Sequence, residues 1–271
     1  MDSVRLIEQW PVDNAAVAVV AADGTVLGAH GDRGRGFALA SVTKLLTAYT
    51  ALIAIEEGVV ELDTPAGPPG STIRHLLAHT SGLGFDNHRV LAAPGQRRMY
   101  SSTGFDQLAD ALTEHSGIAF ADYQREALLD PLRMSRTRLE GSPGSAASST
   151  VDDLIPFAVE LQQPKLVAAS TLDTATTVAF PGLDGVLPGF GQQKPNDWGL
   201  GFEIRDGKSP HWTGSRSSPR TFGHFGQSGT FLWVDPDAGA ACVALTDRQF
   251  GPWAAQAWPP FTDAVLAELG R

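Results

Sequence analysis

A continuous apolar run from Ala15 to Ala21, the turn pair Asp23-Gly24 and the segment Thr25-Val26-Leu27-Gly28-Ala29 together predict an N-terminal β-hairpin. From Ser41 to about Ile55 the pattern turns helical, carried by Leu45, Leu46, Ala48, Ala51, Leu52 and Ile53, until the Pro/Gly-rich stretch 65–70 breaks it. Residues 71–77 predict a capped short helix that ends before Ser81-Gly82. Helical spacing recurs over 103–115 and 120–129, whereas 141–150 and 181–197 have loop composition. Short strands follow over 199–205, 221–226, 230–234 and 240–246, with Asp235-Pro236-Asp237 as a turn, and 252–269 closes the chain as a helix. Residues 1–10 predict a further amphipathic helix.

A two-stranded hairpin cannot stand alone, so it is expected to pair with the C-terminal strands around a helical middle. The predicted fold class is α+β, an antiparallel sheet flanked by helices with an inserted mainly helical lobe. One domain over 1–271 is expected, with the sheet lobe from about 1–50 and 198–271 and the helical lobe from about 51–197. No internal repeat interrupts this plan.

Composition excludes several functions. A net charge of −10, a pI near 5.1 and the lack of a dense Lys/Arg cluster speak against nucleic acid or an anionic membrane surface as partner. No apolar run reaches the ~18 residues a bilayer span needs, and the N-terminus lacks the basic and apolar regions of a signal peptide. A cytoplasmic location is therefore expected. The single Cys242 excludes an intrachain disulfide and, in its apolar surroundings, is expected to be a buried structural thiol.

The tetrad Ser41-Val42-Thr43-Lys44 brings in chemistry. Positions i and i+3 of a helix share a face, so the Lys44 amine can reach the Ser41 hydroxyl. A serine in the first turn sits where free backbone N–H groups and the helix dipole can hold a developing oxyanion. The same field, with burial, is expected to lower the lysine pKa and leave neutral amine. Ser and Thr are also ordinary helix caps, so the tetrad alone decides nothing.

Three further segments change its weight. Residues 73–83, Ile-Arg-His-Leu-Leu-Ala-His-Thr-Ser-Gly-Leu, contain His75 and His79 at i, i+4, a spacing compatible with a metal but an incomplete ligand set, so packing or hydrogen bonding is the expected role. Pro94-Gly95 leads to Tyr100-Ser101-Ser102, and His224-Phe225-Gly226 falls on a predicted strand. In this order and spacing the chain resembles the serine β-lactamase and penicillin-binding protein superfamily, in its class C β-lactamase-like branch, which also contains carboxylesterases and D-amino-acid peptidases. The likeness runs from about Phe37 to Leu139 and from Trp198 to Asp247.

The resemblance implies that Ser41 is the nucleophile, that Lys44 and Tyr100 share its proton, and that His224 faces Tyr100 and the leaving group. It implies an oxyanion hole from the Ser41 and Gln227 amides, and a substrate lying flat against the strand at Gly226. Tyr100 is expected to carry a pKa lowered by the neighbouring ammonium. Two positions depart from the family: Ser102 replaces the Asn of Y-x-N, and Phe225 replaces the Thr that many β-lactam-recognising relatives place there. Each substrate-binding position thereby loses polar groups aimed at the β-lactam amide or carboxylate. The expected activity is a carboxylesterase acting on small esters through an acyl-enzyme, without metal or organic cofactor. A D-amino-acid peptidase, a weak β-lactamase, or a catalytically silent binding or regulatory module on the same fold are the alternatives. The expected partner is a small ester or amide. Oligomeric state is not readable.

Overall fold

The apolar strand β1 (Ala15–Ala21) becomes an interior strand, and the computed structural model, which describes residues 1–271, shows what covers each of its faces. Ala16, Ala18 and Val20 face one hydrophobic core while Val17 and Val19 face a second. The hairpin closes into β2 (Val26–Gly31), and β3 (Phe37–Ala38) leads through a 3₁₀ turn at 40–42 into α1 (Thr43–Glu56). Every α1 residue from Thr43 to Ala54 is buried, so this helix is enclosed on all sides and central, its few polar side chains included. The middle of the chain supplies α2 (Ile73–Leu77), α3 (Ser102–Ser116) and α4 (Phe120–Gln124), the last running on as a π-helical turn over 125–129. Next come β4 (Arg138–Leu139), β5 (Ala147–Ser149), α5 (Val151–Glu160) and α6 (Ala169–Ala175). The remainder is β6 (Gly185–Leu187), β7 (Gly191–Gln193), β8 (Glu203–Ile204), β9 (Phe222–Gly226), β10 (Thr230–Asp235), β11 (Ala240–Thr246) and α7 (Pro252–Glu268).

Six strands form one antiparallel sheet in the order β2-β1-β11-β10-β9-β8, joining both ends of the chain as expected. The helical lobe, with α1 and α5, covers one face, and α7 with the N-terminal segment covers the other. Cys242 lies fully buried on β11. No helix is long and apolar enough to cross a membrane.

Several expectations need correction. The N-terminal segment is a 3₁₀ helix over Ser3–Gln9, anchored where the Asp2 and Ser3 N–H groups donate to Glu268 Oε1 at 3.0 and 2.9 Å. The strand expected over 199–205 shrinks to β8, because the N–H groups of Leu200 and Gly201 donate to Ala175 and Leu77 carbonyls in the helical lobe. Gly201 has φ +89°, and a Cβ there would sit 2.1 Å from Ala48 Cβ. The loop 141–150 contains β5, which pairs with β3 and β4, and 181–197 contains the β6–β7 hairpin. Helix α5 has no counterpart among the expected elements, although Thr150 caps it by accepting from the Asp153 N–H at 3.1 Å. Thr72 does not cap α2; its hydroxyl bonds His75 Nδ1 at 2.9 Å.

Candidate active site

Ser41 lies half-buried in the 3₁₀ turn just ahead of α1, after Ala40, whose φ of +44° is strained for a residue with a side chain. The turn between β9 and β10 holds that backbone in place: Ser228 Oγ donates to the Ala38 carbonyl at 2.6 Å and Thr230 Oγ1 to that of Leu39 at 2.9 Å. Gly226 completes the clamp. A Cβ there would stand 2.3 Å from the Leu39 carbonyl oxygen and 3.2 Å from Ala40 Cβ, so the glycine is required by the turn that carries Ser41, a reason independent of the expected substrate contact. Gly226→Ala is expected to lower stability by about 1–3 kcal/mol as overpacking does, and to slow fluorophosphonate labelling of Ser41. Unchanged melting and labelling would show that this clamp does not set the turn.

Lys44 is entirely buried, and its Nζ lies 2.7 Å from the Gly144 carbonyl, 3.0 Å from Ser102 Oγ and 3.5 Å from Ser41 Oγ. It also stands 4.7 Å from the Tyr100 ring centre. Burial lowers its pKa to about 7, with Asp106 pulling weakly the other way. A neutral amine has two N–H donors and one lone pair. With the donors on Gly144 and Ser102, the lone pair is left for Ser41.

Gly144 was not legible as a site residue. The 142–147 loop is held against α1 by Thr47 Oγ1 donating to the Pro143 carbonyl at 2.7 Å and the Ala147 N–H donating to Thr43 Oγ1 at 3.1 Å. Ser142 Oγ donates to Asp106 and accepts the Gly144 N–H, which orients the loop carbonyl toward Lys44.

The structure corrects the expectation for Tyr100. Its hydroxyl is buried without a well-formed hydrogen bond, and burial raises its pKa, with Ser41 acting weakly in the opposite direction. Tyr100 is a protonated phenol, suited to donate a proton. His224 Nδ1 donates to the Phe225 carbonyl at 2.6 Å, which assigns the bare lone pair to Nε2. Burial first and Lys44 second bring its pKa down to about 3, so His224 is neutral. Its ring centre is 5.6 Å from that of Tyr100.

His79 holds Tyr100 from behind. Its carbonyl accepts the Met99 N–H at 2.8 Å, its Nδ1 accepts the Ser101 N–H at 3.1 Å, and its ring lies 4.6 Å from that of Tyr100. His75 is turned away, toward Thr72 and Phe180.

These groups open onto a cavity of about 280 Å³ lined by Ser41, Tyr100, Trp198, His224, Phe225 and Gln227, with Phe85, Leu187, Pro188 and Glu203 completing the wall. The Gln227 N–H, one residue past β9, donates to no protein acceptor. Ser102 does not line the cavity; its hydroxyl is turned to Lys44. Phe225 packs among Phe190, Trp212, Phe250 and Trp258, leaving one edge to the cavity. Glu203 was not anticipated: its carboxylate is buried and paired with Lys208, His211 Nε2 at 2.8 Å and Trp212 Nε1 at 2.9 Å. Those cations and hydrogen bonds outweigh burial and hold its pKa down to about 2. With both oxygens engaged, the carboxylate braces the wall.

The sequence profile of the Beta-lactamase family matches residues 11–267. The chain belongs to the beta-lactamase family. A crystal structure described as a β-lactamase from Mycobacterium bovis is 60% identical, with a TM-score of 0.97 over 98% of this chain and 99% of that one. Among curated proteins of the family's wider circle, penicillin-binding protein 4* of Bacillus subtilis is 30% identical over 136 residues, 38% of this chain and 30% of that protein. The D-alanyl-D-alanine-carboxypeptidase/endopeptidase AmpH of Escherichia coli is 31% identical over 142 residues, 39% of this chain and 37% of that protein. The chain thus matches 30% and 37% of the length of these two relatives. EstCE1, a hydrolase with promiscuous acyltransferase activity, is 20% identical with a TM-score of 0.78 over 97% of this chain and 96% of that one, a likeness of fold. The fold is that of the beta-lactamase family of serine hydrolases.

Proposed function

We propose that this chain is a serine carboxylesterase working through an acyl-enzyme on Ser41. The observation that carries the reading is the buried Lys44 amine, whose pKa of about 7 leaves a large neutral fraction at pH 7, with its donors on Gly144 and Ser102 and its lone pair toward Ser41 Oγ. Lys44 takes the Ser41 proton as Oγ attacks the ester carbonyl, and the tetrahedral oxyanion is held by the Ser41 and Gln227 N–H groups. The C–O bond then breaks. Tyr100 gives its proton to the departing alkoxide and is reprotonated from Lys44, while neutral His224 offers Nε2 as an acceptor beside the leaving group. Water, deprotonated along the same route in reverse, releases the acid and restores Ser41.

The preference for esters rests on the cavity wall. Phe225 brings an aromatic edge where a hydroxyl would serve a carboxylate, and Ser102 is spent on Lys44. Two missing polar contacts of about 1.5 kcal/mol each amount to roughly a hundredfold in transition-state binding. Accordingly, kcat/KM for p-nitrophenyl butyrate is expected to exceed that for a chromogenic cephalosporin or a D-alanyl-D-alanine peptide by on the order of a hundredfold. Cephalosporin turnover equal to ester turnover would overturn the ester reading and restore the β-lactamase one.

A further inference from the structure

His224 carries an acceptor that the protein leaves unpaired. Its Nδ1–H is committed to the Phe225 carbonyl at 2.6 Å, so Nε2 holds a lone pair, and that buried atom has no hydrogen-bond partner in the protein. The Nδ1 edge of the ring is tied to the backbone of β9, which leaves Nε2 on the outer edge of a side chain lining the catalytic cavity. A buried acceptor without a donor is destabilising, and at a reactive site it is a group that a ligand can satisfy.

The surroundings of His224 do not supply that donor. Glu203, an ionised carboxylate already bound by Lys208, His211 and Trp212, has no proton to give. Trp198 meets the imidazole edge to face, 5.4 Å between ring centres, without donating to Nε2. Leu187, Pro188 and Phe225, on the same cavity wall, have no donor in their side chains. The Tyr100 ring centre lies 5.6 Å from that of His224, and in the proposed mechanism its hydroxyl protonates the leaving oxygen. A group that meets Nε2 beside Tyr100 therefore belongs to the leaving alcohol and not to the acyl chain. It is also neutral: Lys44, about half protonated at pH 7, is near enough to depress the His224 pKa and would repel an ammonium there.

We infer that the alcohol portion of the substrate carries a free hydroxyl beside its ester linkage, as in a monoester of a 1,2-diol, and that His224 Nε2 accepts a hydrogen bond from that hydroxyl. This rests on the esterase reading and specifies its substrate class. A hydroxyl on the carbon next to the one bearing the ester oxygen stays close to that oxygen, so both can be met from one side. An alcohol lacking the hydroxyl leaves the acceptor desolvated and unpaired, and a site built around such a bond discriminates against it.

The test compares three butyrate esters. For the wild type, kcat/KM for 2-hydroxyethyl butyrate is expected to exceed that for 2-methoxyethyl butyrate and for propyl butyrate by roughly tenfold or more. All three give the same acyl-enzyme, so the comparison isolates acylation, and the methoxy ester matches the electron withdrawal of the hydroxyl without its proton. His224→Phe keeps a ring and removes the acceptor. The ratio of hydroxy to methoxy ester is then expected to fall close to one, and a ratio within one protein cancels any general loss of activity. In Ser41→Ala the nitrogen-15 signal of His224 Nε2 is expected to move upfield on adding 2-hydroxyethyl butyrate and to stay in place with the methoxy ester, a readout independent of turnover. Equal rates for the hydroxy and methoxy esters, or a preference that survives His224→Phe, would overturn the inference, while hydrolysis of p-nitrophenyl butyrate leaves the esterase reading standing. If no ester is hydrolysed and Ser41 takes no fluorophosphonate, the esterase reading fails, and the nitrogen signal still decides whether a hydroxyl binds at His224.

Discussion

Replacing Ser41 with alanine is expected to reduce kcat for p-nitrophenyl butyrate by about 10⁴-fold or more and to remove the fluorophosphonate adduct completely. The expected loss is large because in the proposed mechanism the whole reaction passes through a bond to Ser41 Oγ, leaving only oxyanion stabilisation and binding in the variant. A rival nucleophile exists on distance alone. Ser102 Oγ lies 3.0 Å from Lys44 Nζ, closer than the 3.5 Å of Ser41. Yet Ser102 is absent from the cavity wall, whereas Ser41 lines it, so an incoming carbonyl meets Ser41 first. Ser228 is occupied with the Ala38 carbonyl. Mass spectrometry of the labelled protein settles the matter: an adduct on the Ser102 or Ser228 peptide, or persistent labelling of Ser41→Ala, would remove Ser41 from the mechanism.

Lys44→Met is expected to lower kcat/KM by about 10³-fold while leaving the protein at least as stable as the wild type at pH 7. The two effects have one origin. The unfolded lysine titrates near its ordinary value of 10.5 and the folded one near 7, so between those limits the unfolded chain binds more protons. Stability therefore rises with pH across that window, and the burial cost is fully present below about 7. Methionine fills similar space without that cost. In the wild type, kcat/KM is expected to climb as pH rises through about 7, where the amine becomes a base; His224, near 3, contributes nothing there. Lys44→Arg keeps charge but cannot deprotonate, so it too is expected to be inactive. An active arginine variant, or a wild-type profile flat from pH 6 to 8.5, would leave lysine as a mere electrostatic partner.

What the sequence made legible follows from how local each signal was. The Ser41–Lys44 spacing is a property of a few consecutive residues, and Tyr100 and His224 lay within recognisable motifs; the structure brings Ser41, Tyr100 and His224 to one cavity, with Lys44 buried behind Ser41 and Tyr100. Gly144 escaped notice because it acts through a backbone carbonyl, which any residue carries, in a loop whose shape depends on Thr47 and Asp106 far along the chain. Glu203 was hidden for a related reason: its partners Lys208, His211 and Trp212 come together through the turn after β8, not through any helical or strand period. The Tyr100 pKa was misjudged in direction because a nearby cation is visible in a motif whereas complete burial is not. Likewise β8 was overextended, since the pattern of 199–205 does not reveal that Leu200 and Gly201 donate to carbonyls in the helical lobe.

The clamp on the turn that carries Ser41 also sets when that turn can take shape during synthesis. Residues 38–40 are shaped by Gly226, Ser228 and Thr230, and the sheet that carries those residues is closed by pairs such as Ala15 with Thr246. Contacts this distant in sequence form late, and a growing chain cannot make them until the strands that follow the helical lobe have been synthesised. The turn at Ser41 is therefore made long before the residues that give it its shape. If Ser41 is the nucleophile, partly made chains carry an ordinary serine there, and reactivity toward a fluorophosphonate becomes a direct signal that the strands on either side of the helical lobe have paired.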